Sequence, residues 1–344
     1  MTLGVSWLAY GTLEQPTGGY VYDRLIVEQL RAQGAQVTVR TLIPLDPIRT
    51  ADTVTQLLGA DVDVVVGDAL CVNELGPLFD ALAGYVRRVL LVHHLTSWER
   101  EASALCLAKL RAQERKAVSS ADLVVTTSYT TANRLCAEYP ECMPHAVVPG
   151  ADRLRCLPRA LSRTECRLLG IGSLIARKRW GLLLAALDKL SAPELYLRLV
   201  GDETRDPDYS QSLAAQIARS PYLAAHVKHI GVVEDEALAE ELAQADALVL
   251  PSSLEGYGMV LTEALHAGVP VVASRASAIP EVLTESDAAL LFDDDSELVV
   301  QLNRLAREPP LRTALQRAAA GCAAKLPTWA SAGAQFRDLL TQRI

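Results

Sequence analysis

Apolar residues recur along this chain in two rhythms. Short β-branched runs alternate with longer stretches whose apolar positions repeat every three to four residues, the patterns of strands and amphipathic helices respectively. "GVSWLAY" reads as a strand, "PTGGY" as a glycine turn, "YDRLIVEQLRAQG" as a helix stopped by Gly34, and "QVTVRTL" as the next strand. "VDVVVG", "RVLLVHH", "ADLVVTTS" and "HAVVPG" continue the series. The periodicity lapses over "GADRLRCLPRALSRTEC", which reads as a linker from residue 150 to about 165. A second series follows in "RLLGIGSL", "LYLRLVGD", "HVKHIGVV", "ADALVLPSS" and "VPVVAS".

Strands alternating with helices predict an α/β fold with parallel sheets, here in two halves. A chain of 344 residues supports that count. The expected division is a Rossmann-like domain over 1–155, a second over 165–325, and a closing helix over 326–344 that packs back on the first. Neither half carries the GxGxxG fingerprint of a dinucleotide fold.

Charge and cysteine content narrow the function. With 33 basic against 41 acidic residues and no basic block, nucleic acid is not the expected partner. No apolar run reaches the roughly 18 residues of a membrane span, and the first residues lack a signal peptide's positive region, so a cytoplasmic protein is expected. Peripheral membrane contact stays open. Seven cysteines without CxxC pairs predict reduced thiols and neither a disulfide framework nor a zinc site.

The most informative stretch is "PSSLEGYGMVLTEALHAGVPVVAS". Glu255 and Glu263 are too far apart to act on one atom from a single helix, since residues eight apart differ by about 80° and about 12 Å. The better reading is a strand ending at Leu250, a loop carrying Glu255, and a helix from about Met259 to Gly268 carrying Glu263 one turn in. A helix N-terminus behind a glycine is an anion site. Acids on either side of it would accept from hydroxyls, and a nucleotide sugar has that layout: hexose, diphosphate, ribose.

With the later "IPEVL", this stretch resembles the E-x7-E signature of the retaining GT-B glycosyltransferases of family 4. The resemblance implies two Rossmann-like domains facing an interdomain cleft, and transfer of a sugar from a nucleoside diphosphate donor to a small soluble molecule or glycan. No cofactor or metal is implied. By the resemblance Glu255 contacts the sugar hydroxyls, Glu263 holds the ribose, and the amides of Gly258, Met259, Val260 and Leu261 meet the sugar and phosphates. Two other readings stand beside it, a catalytically silent nucleotide-sugar-binding subunit and a GT-B epimerase.

Further motifs carry the likeness. Arg177, Lys178 and Arg179 precede an amphipathic helix, where cations oppose the macrodipole, and a bound diphosphate would explain them. Lys178 matches the family lysine. Ser173 stands where the family has Arg, and Arg177 takes over the guanidinium. The resemblance also places Gly18 and Gly19 near the donor phosphates, His93 near the donor sugar, Gly201 at a strand end and Val233 at the base. The aspartate pairs at 61–63 and 206–208 read as turn residues, not metal ligands.

Overall fold

The computed structural model describes residues 2–44, 47–99, 104–159, 165–283 and 286–342. The chain divides into two compact units, Met1–Pro149 with Trp329–Ile344, and Gly150–Thr328.

The first unit is built on β1 (Gly4–Tyr10), β2 (Gln36–Leu42), β3 (Val64–Asp68), β4 (Arg87–Val92), β5 (Leu123–Thr126) and β6 (His145–Ala146). They form a parallel sheet in the order β2-β1-β3-β4-β5-β6. Because helices cover both faces, the central strands are apolar on successive residues, as in the fully buried Val64, Val65 and Val66. The first helix, Gly18–Ala32, stops where its pattern ends. Gly34, at φ +85°, donates to Arg31 O at 3.0 Å and Ala35 to Leu30 O at 3.0 Å, a Schellman stop that needs a left-handed residue. The last helix, Trp329–Thr341, lies on Gly18–Ala32. A Cβ on Gly333 would stand 2.3 Å from Gln29 Cβ, so glycine permits that close approach. Phe336 packs on Trp7 with ring centroids 5.6 Å apart.

The second unit is built on β7 (Cys166–Ile171), β8 (Leu195–Val200), β9 (Val227–Gly231), β10 (Ala247–Leu250), β11 (Val271–Ser274) and β12 (Ala289–Phe292). This parallel sheet runs β12-β11-β10-β7-β8-β9. One continuous core joins the strands to Trp180, Leu183, Leu265 and Leu302 on the covering helices.

The two sheets therefore share a class but not a strand order. The direction in which successive strands are added reverses between β1 and β3 in the first, and between β7 and β10 in the second. In open α/β sheets ligands bind beyond the carboxyl ends of the strands at such a switch point.

The stretch from residue 150 differs from the expected linker. Leu154 belongs to the core of the second unit, Cys156 Sγ lies 3.3 Å from His266 O, and Arg159 bonds the carbonyls of Gly268 and Ala245. Periodicity lapses there because the segment is anchored by individual side chains and not by a helix or strand. Residues 160–164 lie outside the described residues. All seven cysteines are free thiols. Among the described residues no helix is long and apolar enough to cross a membrane. The aspartates at 63 and 206 serve the backbone. Asp63 accepts from Gly4 N at 2.8 Å, and Asp206 caps the helix Pro207–Arg219 by accepting from Tyr209 N at 3.1 Å.

Candidate active site

In the second unit the switch point carries the predicted residues. After β7 the chain turns through Gly172 and Ser173 to a short 3-10 turn, Ala176–Lys178, and then the helix Trp180–Leu190. After β10 it runs through Pro251–Gly258 to the helix Met259–His266. Ser253 N donates to Arg177 O at 2.8 Å and ties the two loops together.

That tie brings Lys178 and Glu255 into contact. Lys178 Nζ lies 2.6 Å from Glu255 Oε1 and Arg177 Nη1 lies 3.6 Å from Oε2, while Arg177 Nη1 also donates to Leu254 O at 2.9 Å. Lys178 is 8% and Glu255 7% exposed. Burial would raise the Glu255 carboxyl, but the charges of Lys178 and then Arg177 outweigh it and hold the group below the ordinary carboxylate range. The cations ahead of the helix thus have a partner within the protein besides the diphosphate expected to explain them. Arg179 turns away, at φ +54°, to Asp295 Oδ1 at 3.2 Å. Ser173 contributes its carbonyl, which accepts from Trp180 Nε1 at 3.1 Å.

Backbone approach at this edge depends on glycine. Gly201, at φ +158° after β8, would place a Cβ 2.0 Å from Gly172 O. Gly258, at φ +94°, is the N-cap of the helix Met259–His266 and gives its first turn no side-chain cap. Leu261 N is already donated to Gly258 O at 2.8 Å, so of the four amides expected to meet a ligand this one is committed. The helix ends as predicted, with Gly268 N on Leu265 O and Val269 N on Ala264 O, at 3.0 and 2.7 Å. Val233 is half-buried after β9.

Glu263 lies one turn inside that helix and is 2% exposed. Its Oε1 accepts from Arg153 Nε at 2.7 Å, and Arg153 Nη1 also engages Asp235 Oδ1. Glu263 Oε2 is buried without a hydrogen-bond partner. Arg153 and Asp235 were not foreseen. Arg153 falls in the stretch read as linker, and nothing in its neighbours marks it.

In the first unit the predicted residues also meet at the carboxyl edge. His93, directly after β4, places Nε2 2.9 Å from Asp23 Oδ1, and its ring stands edge-on to Tyr22 with centroids 5.3 Å apart. A Cβ on Gly19 would lie 3.2 Å from His93 Cδ2, so that glycine makes room for the imidazole. Gly18 opens the helix Gly18–Ala32. Asp23 Oδ2 accepts from Trp7 Nε1 at 3.0 Å. Burial would lower the His93 imidazole, but the hydrogen bond and charge of Asp23 outweigh it and raise its pKa above the ordinary value. Asp68, ending β3, accepts from Leu70 N at 2.8 Å through Oδ1 and keeps Oδ2 buried without a partner. Burial, reinforced by the charge of Asp23 and opposed by His93, pushes Asp68 up to about 7.

Asp23, Asp68 and His93 each offer an atom within 4.8 Å of the others. Of the three, His93 Nε2 is engaged by the Asp23 carboxylate, while Asp68 Oδ2 has no hydrogen-bond partner. Asp23 and Asp68 were missed although a signal existed. Asp23 interrupts the apolar row Gly19, Asp23, Ile26, Leu30 of its helix, and Asp68 ends an otherwise apolar strand.

Two parallel α/β units, each with its polar residues beyond the carboxyl strand ends, define the GT-B class. Over 98% of this chain and 98% of theirs, the coordinates superpose on sucrose-phosphate synthase from Thermosynechococcus elongatus, with TM-score 0.83 and 19% identity. Anabaena HepE, solved in complex with UDP and glucose, gives 0.81 and 18% identity over 98% of this chain and 99% of that one. Residues 160–321 match the family described as glycosyl transferases group 1. A curated relative, the GDP-mannose-dependent alpha-(1-6)-phosphatidylinositol monomannoside mannosyltransferase of Mycolicibacterium smegmatis, is 27% identical over 328 residues, 88% of this chain and 83% of that protein. The chain spans about three fifths of the length of two further curated relatives. The second unit thus carries the group 1 glycosyltransferase match, and the chain, similar to a glycosyltransferase over most of its length, is a hexosyltransferase-type enzyme.

Proposed function

We propose that this enzyme transfers a hexose from a nucleoside diphosphate sugar to an acceptor hydroxyl with retention at the anomeric carbon and without a metal ion. The observation that carries the reading is the buried Lys178–Glu255 pair with the half-buried Arg177 at the second switch point, beside a helix N-terminus without a side-chain cap. Cleavage of the bond from the anomeric carbon to the phosphate oxygen sends an electron pair to the diphosphate. Lys178 and Arg177 neutralise that charge, and the amides of Gly258, Met259 and Val260 add the partial charge of the helix end. No side chain acts as nucleophile. The acceptor oxygen bonds the anomeric carbon on the face the diphosphate leaves, and its proton passes to a donor phosphate oxygen.

Glu255, aligned by its two cations, keeps acceptor capacity for the sugar hydroxyls. The free Oε2 of Glu263 suits a ribose hydroxyl, Val233 borders the base, and Gly201 lets the backbone approach the donor. From the family likeness we assign Gly18 and Gly19 to the diphosphate and His93 to orienting the sugar. The named donor of the mycobacterial relative is GDP-mannose and HepE was solved with UDP, so the donor class is a nucleoside diphosphate sugar and the base is open to test. The proposed acceptor is a sugar or small molecule, and the proposed compartment the cytoplasm.

A melting-shift screen with UDP, GDP, ADP and dTDP, then the sugar nucleotides, tests the reading. A nucleotide at 100 times its Kd should stabilise the enzyme by about 2.7 kcal/mol. If none of the four raises the melting temperature, the donor assignment fails. A sugar nucleotide turned into an isomer without an acceptor would redirect the reading to an epimerase.

A further inference from the structure

Arg153 is the residue on which Glu263, the second acid of the E-x7-E stretch, rests. The guanidinium is 10% exposed and sits between two carboxylates, with Nε donating to Glu263 Oε1 at 2.7 Å and Nη1 engaging Asp235. The two acids come from different elements. Glu263 is on the helix Met259–His266, and Asp235 opens the helix Asp235–Gln244, two residues after Val233.

A carboxylate has two oxygens, and this contact commits one of them. Oε1 is held by a charge-assisted bond in a fixed direction, and the planar fork of arginine allows that bond and the Asp235 contact at once. Oε2 remains buried with no partner. An acceptor left this way is costly unless a donor completes it. One guanidinium facing two carboxylates also leaves a net negative charge, which favours a neutral hydroxyl donor over an anion.

We infer that Arg153 is a positioning residue that fixes the rotamer of Glu263, so that Oε2 receives a ribose hydroxyl, and couples this acid through Asp235 to the turn beside the base. The inference rests on the donor reading above. Arg153 touches no part of the donor and acts through Glu263. A lysine in its place would keep the charge but lose the fork.

Calorimetric titration of the full chain tests this, with UDP, GDP, ADP and dTDP and the 2′-deoxy and 3′-deoxy analogues of the ribonucleotides, on wild type, Arg153→Gln and Arg153→Lys. In wild type, loss of the hydroxyl that Oε2 receives should weaken binding about tenfold, the scale of one hydrogen bond to a charged group. In Arg153→Gln the ribonucleotide should weaken about tenfold while the deoxy analogue changes little, so that discrimination all but disappears. Arg153→Lys should fall between and decides the matter where the glutamine variant does not fold. A merely structural arginine would weaken every ligand alike. Wild type binding none of UDP, GDP, ADP and dTDP overturns the donor reading and this inference with it. Wild type binding one of them but not discriminating its deoxy analogues, or discriminating them as strongly in both variants as in wild type, overturns this inference alone.

Discussion

Lys178 and Glu255 are 77 residues apart in the chain and 2.6 Å apart in the fold. Their contact closes the switch point of the second sheet and replaces water around both charges. Breaking a buried pair by removing one member leaves the other uncompensated, which costs more than the pair itself contributes. The contact also keeps a cation and an acceptor in fixed alignment, which is what charge separation at a glycosidic phosphate bond calls for.

Lys178→Ala should lower kcat by at least about 100-fold, the scale for removing one preorganised charge-stabilising group. Because Glu255 is buried beside it, the variant should also lose about 3 kcal/mol of stability, more than a lysine in an exposed turn would suggest. Adding Glu255→Gln should restore much of that stability in a denaturant titration. Turnover near wild type in the folded double variant would remove both residues from the mechanism.

Gly201→Ala places a methyl 2.0 Å from Gly172 O, at a backbone φ of +158°. Overpacking against backbone has nowhere to relax except by separating the turns after β7 and β8, at a cost of about 3 kcal/mol. Nucleotide affinity should fall together with the melting temperature. An alanine variant with unchanged values of both would show that the close approach is not required.

Asp68 provides a pH signature. Its folded pKa of about 7 lies above the ordinary 3.8, so the folded state holds the extra proton and stability is lost as pH rises between those values. Asp68→Asn keeps an acceptor for Leu70 N and carries no charge beside Asp23. The variant should melt near wild type at pH 4 and above it at pH 8, by about 3 °C for each kcal/mol relieved. A melting difference independent of pH would mean that the acid is not the titrating group.

Asp23 raises His93 as well, and the pH dependence runs in the same sense. The stabilisation from this pair is complete below the ordinary histidine value of 6.5 and disappears as pH rises through the higher folded value. Asp23→Asn removes the charge while keeping a polar partner for Trp7 Nε1. An NMR titration of the His93 ring should then move its midpoint to lower pH. A midpoint that stays in place would locate the cause elsewhere.

Much of this fold is legible along the chain, because the repeat of apolar residues is a local property. Gly34 and Gly268 mark their helix ends from sequence since only a left-handed residue closes those turns, and both lie at positive φ. The loop-and-helix reading of Glu255 and Glu263 follows from Gly258 and the apolar stretch behind it, and the helix Met259–His266 begins where that reading places it. Asp23 and Asp68 could have been found as charges in apolar rows. Arg153 could not, since its partners are 110 and 82 residues away and its neighbours carry no pattern.

The chain's own periodicity therefore determined two α/β units, their elements and the position of the glycine turn ahead of the helix Met259–His266, all consequences of interactions within a few residues. Only the tertiary structure decided the unlike strand orders of the two sheets, the pairing of Lys178 with Glu255, the Asp23–His93 contact and the seat of Glu263 on Arg153. Each of these depends on which strand ends become neighbours, and that is set by packing whole helices on whole sheets, a choice that no single stretch of residues carries.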